Sequence, residues 1–146
     1  MDAPDTVTPA AWVPADDDGT LRIYKAEPTA AKAAREFAGE CLTAHGRADL
    51  RERAEEVISE LATNAIRHAT PLGGMFAVRF ARSGHAYVFD VIDRRPDAFP
   101  TVRDAGELDE GGRGLILVEA LTDAWVFFTR PIDGLASVKV VRAAFL

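Results

Sequence analysis

ELATNAIRHA, residues 60–69, carries the strongest structural signal in this chain, because it combines a polar pair with an apolar helical stripe. Glu60 and Asn64 are four residues apart, so their side chains share one face of a helix. Apolar residues recur beside this pair at the spacing of a buried helix face. They are Leu50, Val57, Ile58, Leu61 and Ala65. The stretch therefore predicts an amphipathic helix with a carboxylate and an amide at the margin of its buried face.

The polar pair has two possible meanings. A carboxylate and an amide oxygen placed side by side suit a hard cation such as Mg²⁺, which takes oxygen ligands. A solvated helix face that holds an incidental Glu and Asn has the same spacing. Glu60 and Asn64 alone do not choose between these readings.

A second helix is expected before this one. Apolar residues recur with helical period over residues 29–44, and Gly46 is placed to end that helix as a left-handed cap. The helix of the polar pair would open at Asp49, which is followed three residues later by Glu52 as in a capping box. We expect it to end just before Pro71, because proline cannot continue a helix.

Alternating apolar segments predict strands in the rest of the chain. They cover residues 21–26, 75–81, 86–92, 124–129 and 136–145. The second and third are joined by a turn-rich link of hairpin length. A short apolar helix is expected over residues 113–121. The charged loop before it, residues 93–112, is longer than most connections and is a candidate lid.

The glycine turn Gly111 to Gly114 enters this last helix. Free backbone N–H groups at a helix start form an anion site, and Gly112 and Gly114 allow the close approach that a phosphate needs. An ordinary glycine-rich loop before a core helix gives the same pattern. The turn is neither a Walker loop nor a dinucleotide fingerprint, because the P-loop Lys-Ser/Thr is missing and no parallel βαβ unit surrounds it.

Size and composition allow one globular domain. The chain has 146 residues, of which 48% are hydrophobic and 27% charged. No apolar stretch reaches the roughly 20 residues that a membrane helix needs. The single cysteine, Cys41, cannot form a disulfide within the chain. We therefore expect a cytoplasmic protein that does not enter a membrane.

The net charge of −6 is concentrated at the N-terminus. Residues 1–20 hold five aspartates and no Lys or Arg, and this proline-containing segment predicts a disordered tail before a domain at residues 21–146. The nearly neutral remainder lacks the basic stripe expected of a protein that binds nucleic acid directly. Trp12 in the tail is either a docking handle for a partner or, as is more usual for a lone aromatic, packs on its own domain.

In combination, these features resemble the GHKL ATPase superfamily, which includes gyrase, histidine kinases and anti-sigma-factor serine kinases. Residues 60–69 are similar to the N box of this family, and GRGLILV, residues 112–118, is similar to its glycine box. The resemblance covers residues 21–146. It is strongest to the single-domain bacterial anti-sigma-factor serine/threonine kinases, whose chains also carry a Trp soon after the glycine box, here Trp125.

The resemblance implies an α+β fold, a two-layer sandwich in which a mixed, mostly antiparallel sheet is covered on one face by about three helices. It also implies ATP and Mg²⁺ as cofactors and a role for each matching residue. Asn64 would ligate the magnesium that bridges the ATP phosphates, and Glu60 would orient or deprotonate the attacking hydroxyl. Asp93 would accept a hydrogen bond from the adenine amino group. The remaining nucleotide-binding residues would be Gly112, Arg113, Gly114, Leu115 and Ser137.

Two positions depart from the family pattern. Arg95 stands two residues after Asp93, where many relatives have glycine, so its side chain must point outward or lie over the base as a guanidinium plane. Near the end of the chain, Gly134-Leu135-Ala136-Ser137 replaces the Gly-Lys-Thr stretch of many close relatives.

Three functions follow as hypotheses. The leading one is a kinase that moves the γ-phosphoryl group of ATP to a serine or threonine of a STAS-type anti-sigma-factor antagonist and also sequesters a sigma factor. The resemblance also implies a homodimer, because relatives often dimerise through their sheet. The second is a non-catalytic or weakly nucleotide-binding protein-interaction module of the same fold. The third is an unrelated α+β domain in which the motifs coincide by chance.

Overall fold

Helices and strands follow one another in an α+β order in the computed structural model, which describes residues 12–13, 18–69, 74–95, 110–132 and 137–146. The elements are β1 (Thr20–Lys25), α1 (Thr29–Ala44), α2 (Arg51–Ala69), β2 (Met75–Ser83), β3 (Ala86–Asp93), α3 (Glu110–Leu121), β4 (Ala124–Pro131) and β5 (Ser137–Phe145). A short 3-10 turn, Ala48–Leu50, precedes α2. Among the described residues, no helix combines the length and the apolar character needed to cross a lipid bilayer.

The five strands form one sheet in the order β1-β2-β3-β5-β4. All of the described pairings are antiparallel. Strands β2 and β3 form a hairpin closed by Gly84 and His85, and Gly84 has a φ of 61°, a left-handed conformation that glycine adopts without strain. After β3 the chain passes through α3 to the edge strand β4. It then returns as β5, which lies beside β3 in the sheet.

The helices cover one face of the sheet, and the main hydrophobic core lies between this face and the helices. Strand residues that point to this side pack against the apolar faces of α1 and α2. The five apolar positions that the sequence predicts as the buried stripe of α2 are all buried. Fully buried side chains of this core include Leu42, Ile58, Phe76, Phe89 and Phe145.

A smaller apolar cluster lies on the opposite face of the sheet, here called the open face. Its buried members are Trp12, Ala77, Ile92, Val138 and Val140. The Trp12 side chain is only 2% exposed, and Arg130 Nη1 donates a hydrogen bond to the Trp12 carbonyl at 2.5 Å. Trp12 therefore packs on the sheet of its own chain. The rest of the predicted tail lies largely outside the described residues.

The open face also carries a buried carboxylate, Asp90, which is 2% exposed. Its oxygens accept hydrogen bonds from Arg142 Nε at 2.7 Å, Arg142 Nη2 at 2.9 Å and Arg79 Nη1 at 3.3 Å. Both arginines lie directly across from Asp90 on the neighbouring strands. A buried charge is tolerated only when it is paired in this way.

The predicted fold class is confirmed, and two helix starts differ from the expectation. Asp49 lies in the 3-10 turn, and its carboxylate pairs with the Arg47 guanidinium at 3.0 and 2.9 Å, so it does not open α2 as a capping box. A guanidinium that donates two hydrogen bonds binds a carboxylate more strongly than a single backbone N–H does. Helix α3 begins at Glu110, so the glycine residues expected in a turn lie within the helix.

Candidate nucleotide site

The polar face of α2 forms one side of the site. Glu60 and Asn64 are half-buried, while the neighbouring Leu61 and Ala65 are buried in the core. His68 lies one turn beyond Asn64 and therefore continues the same face. The packing of α2 leaves a carboxylate, an amide and an imidazole in a row at the edge of the core.

Asp93 lies at the end of β3, on the side of the sheet that faces the helices. Its side chain is 2% exposed. Oδ1 accepts a hydrogen bond from the backbone N–H of Arg95 at 2.8 Å, and Oδ2 lies 3.2 Å from Lys139 Nζ. Lys139 is directly across from Asp93 in the pairing of β3 with β5. Both oxygens of the carboxylate are therefore engaged within the chain.

Lys139 links this carboxylate to α2. Its side chain is 3% exposed, and its Nζ lies 3.1 Å from His68 Nδ1. A lysine ammonium can only donate, so this contact requires the neutral His68 ring with its proton on Nε2. The Asp93–Lys139–His68 cluster thus joins two central strands to the end of α2.

Burial dominates the electrostatics of the cluster. Loss of solvent raises the pKa of Asp93 above its ordinary value, while the Lys139 ammonium and the Arg95 N–H lower it in part. The Lys139 ammonium thus offsets part of the cost of burying the Asp93 charge. A ligand that draws Asp93 away from Lys139 has to replace that interaction.

The glycine segment lies in the first turns of α3. Gly112, Arg113 and Gly114 are helical, and Leu115 anchors the helix in the core at 4% exposure. The first four N–H groups of a helix have no acceptor within the helix, so α3 presents an anion-binding end at its start. Helix α3 packs against α2, which carries the polar face.

Ser137 begins β5 and is half-buried. It lies two residues before Lys139 and therefore on the same side of the strand. Of the residues expected from the sequence, the structure joins only Asp93 to the cluster by described contacts. Glu60 and Asn64 share a helix face with His68. Most of the candidate lid, residues 96–109, lies outside the described residues.

Sequence reasoning missed Lys139 and His68 as members of the site. A lysine inside the apolar run Ser137–Phe145 is the signal that was available, because Lys is almost never fully buried unless it is paired. Its partner depends on the register between β3 and β5, which the sequence pattern does not specify.

The donor set fits ATP and Mg²⁺ at the phosphate end. The oxygens of Glu60 and Asn64 suit a hard cation, and the start of α3 suits a phosphate. In the described segments no group of three or more His, Cys, Asp or Glu side chains could hold a metal ion. At the base end, Asp93 has suitable chemistry but is held by Lys139.

Comparisons with known proteins agree with this architecture. Residues 24–134, more than half of the chain, match the family model described as histidine kinase-like ATPase domain. The chain therefore belongs to this family, which confirms the predicted GHKL resemblance. No curated protein is significantly similar to it in sequence.

Solved structures share the fold. A chain in the crystal structure of the SiaB–SiaC complex from Pseudomonas aeruginosa superimposes with a TM-score of 0.61 at 15% sequence identity. The match covers 86% of this chain and 89% of that chain. At this level of identity, the similarity shows a common fold.

Proposed function

We propose that this protein is an ATP-binding regulatory kinase that transfers the γ-phosphoryl group of ATP to a serine or threonine of a partner protein. The observation that carries the proposal is the half-buried pair Glu60 and Asn64 on one face of α2, a helix that packs against the glycine-containing helix α3. A histidine kinase-like ATPase domain provides the fold in which these groups act together.

Phosphoryl transfer needs mainly positioning and charge stabilisation. In the proposal, Asn64 supplies an oxygen ligand to Mg²⁺, which neutralises phosphate charge when bound. The N–H groups at the start of α3 bind phosphate oxygens. Glu60 accepts the proton of the attacking hydroxyl, and its partial exposure leaves it within reach of a substrate protein.

The proposed partners follow from the resemblance to anti-sigma-factor kinases. They are a STAS-type antagonist, which would be phosphorylated, and a sigma factor, which would be sequestered. The fold neighbour in the SiaB–SiaC structure is part of a complex of two proteins, in keeping with a partner-binding role. Phosphorylation adds negative charge to an interface that accepts the neutral hydroxyl, and so it would set the exchange of partners.

The test is transfer of labelled γ-phosphate from Mg-ATP to a candidate antagonist. We expect Glu60→Gln to lower the rate by about 100-fold or more, since general bases contribute on that order. Glu56→Gln is the matched control, because Glu56 is an exposed carboxylate one turn earlier on α2. Equal loss in both variants, or no transfer by the unmodified protein to any such partner, would contradict the kinase assignment.

A second candidate is a protein-interaction module that does not use ATP. The engagement of both Asp93 oxygens favours it, because the base-reading group is held within the chain. Calorimetry with Mg-ATP separates the two candidates. Binding that Asn64→Ala weakens supports the kinase, whereas absence of binding supports the module.

A further inference from the structure

Lys139 donates to Asp93 the kind of N–H hydrogen bond that a nucleobase amino group would donate. An exocyclic amino group and a lysine ammonium both approach a carboxylate as N–H donors. In the structure the donor is already in place, with Nζ 3.2 Å from Asp93 Oδ2. The pair is almost entirely buried, since the two side chains are 2% and 3% exposed.

The backbone holds this pair together. Asp93 and Lys139 are directly opposite each other in the pairing of β3 with β5, so the strands keep the two side chains within reach. His68 Nδ1, at 3.1 Å from Nζ, gives the ammonium a second contact on the helix side. Lys139 is therefore positioned from two sides.

Moving a base onto Asp93 would leave a buried ammonium without its carboxylate. A buried charge that loses its partner is strongly unfavourable, whereas the ammonium bonds to Asp93 more strongly than a neutral amino group does. A base therefore gains little by competing for this carboxylate. The groups proposed for the phosphate end lie on other residues, on α2 and at the start of α3.

We propose that Lys139 is a specificity-determining residue that occupies the base-reading carboxylate Asp93, so that the site binds nucleoside triphosphates through their phosphates and discriminates poorly between bases. The proposal rests on the proposed nucleotide binding and adds to it the residue that controls base selectivity. Removing the ammonium would release Asp93 to read an amino group.

The experiment compares Mg-ATP with magnesium inosine triphosphate by calorimetry. Inosine has an oxo group where adenine has its 6-amino group. We expect the unmodified protein to bind the two nucleotides with affinities within about threefold of each other. Lys139→Met should bind ATP about tenfold more tightly and prefer ATP to inosine triphosphate by about tenfold, because one competing hydrogen bond to a charged group is of that order.

Two variants control for indirect effects. Arg79→Met removes a cation that contacts Asp90, the other buried aspartate of β3, on the open face of the sheet. It should leave both nucleotide affinities unchanged. Asp93→Leu/Lys139→Met removes both charges together, which avoids an unpaired buried charge, and leaves no acceptor for an amino group, so it should lose the tenfold preference for ATP. Circular dichroism confirms that each variant is folded.

The outcomes separate the two proposals. If neither the unmodified protein nor Lys139→Met binds a nucleotide, the proposed nucleotide binding and the proposed role of Lys139 are both contradicted. If the unmodified protein already prefers ATP by tenfold or more, or if a folded Lys139→Met gains neither affinity nor preference, only the role of Lys139 falls. The comparison in the unmodified protein decides the matter even where Lys139→Met does not fold.

Discussion

The reactivity of the Cys41 thiol is set by the packing around it. Cys41 lies on α1, where its side chain is partly buried against the core. Burial raises the pKa of the Cys41 thiol to about 11, the nearby Arg22 charge lowers it in part, and Glu40 raises it further. The thiolate is the reactive form of cysteine, so the native thiol is nearly inert at neutral pH.

We predict that iodoacetamide alkylates Cys41 about 100-fold more slowly in the native protein than in the unfolded chain at pH 8. The native rate should rise about tenfold per pH unit until it levels near pH 11, because a raised pKa keeps the thiol neutral up to that value. Mass spectrometry of timed samples measures the rate.

Arg22→Gln is the control for this prediction. Its loss removes the charge that favours the thiolate, so the native rate should fall further. Equal native and unfolded rates at pH 8 would show that the thiol is not buried as described.

At the level of elements, the end of α1 depends on one glycine. Gly46 has a φ of 73°. Its N–H donates to the Thr43 carbonyl at 3.0 Å, and the Arg47 N–H donates to the Leu42 carbonyl at 2.8 Å. These two bonds form a Schellman motif, which places a left-handed residue at this position and turns the chain towards α2.

Gly46→Ala should lower the free energy of unfolding by about 1 kcal/mol, because an L side chain is strained in the left-handed region. Urea denaturation followed by circular dichroism measures the change. Gly46→Asn is the matched control and should lose less, since Asn adopts this conformation more readily. An alanine variant as stable as the parent would rule out the cap.

The helices and strands are the part of the fold that the sequence pattern predicts well. Periodicity places α1 at the observed residues and identifies the buried stripe of α2. Helix starts are less well predicted. Asp49 has the residue type of a cap, yet its neighbour Arg47 binds the carboxylate, and local side-chain competition of this kind is not encoded in periodicity.

Among the residues that the structure describes, two apolar clusters lie on opposite faces of the sheet, and Trp12 belongs to the smaller. A lone aromatic in a segment poor in core-forming residues more usually packs on its own domain, and Trp12 does so, but the sequence pattern does not predict which strands it contacts. Its partners come from β2, β3 and β5. Contacts between such distant residues arise only once the sheet has formed, as does the pairing of Lys139 with Asp93.

Trp12→Ala should therefore destabilise the folded domain by about 3 kcal/mol or more, the usual effect of truncating a buried tryptophan. Urea denaturation followed by far-ultraviolet circular dichroism measures the loss. Trp12→Phe should retain most of the stability, because Trp12 Nε1 has no hydrogen-bond partner in the structure as described and the apolar bulk is kept. A Trp12→Ala variant with unchanged stability would place the side chain in solvent.

Strand β3 carries two buried carboxylates, Asp90 on the open face and Asp93 on the helix face, and both are paired to cations on β5. A shift of β5 by one residue would turn Lys139 and Arg142 to the wrong faces and leave both carboxylates without these partners at once. The two ion pairs therefore favour the observed register of β5 against β3. During folding, a sheet with a misaligned β5 is thus disfavoured by its unpaired buried charges as well as by its side-chain packing.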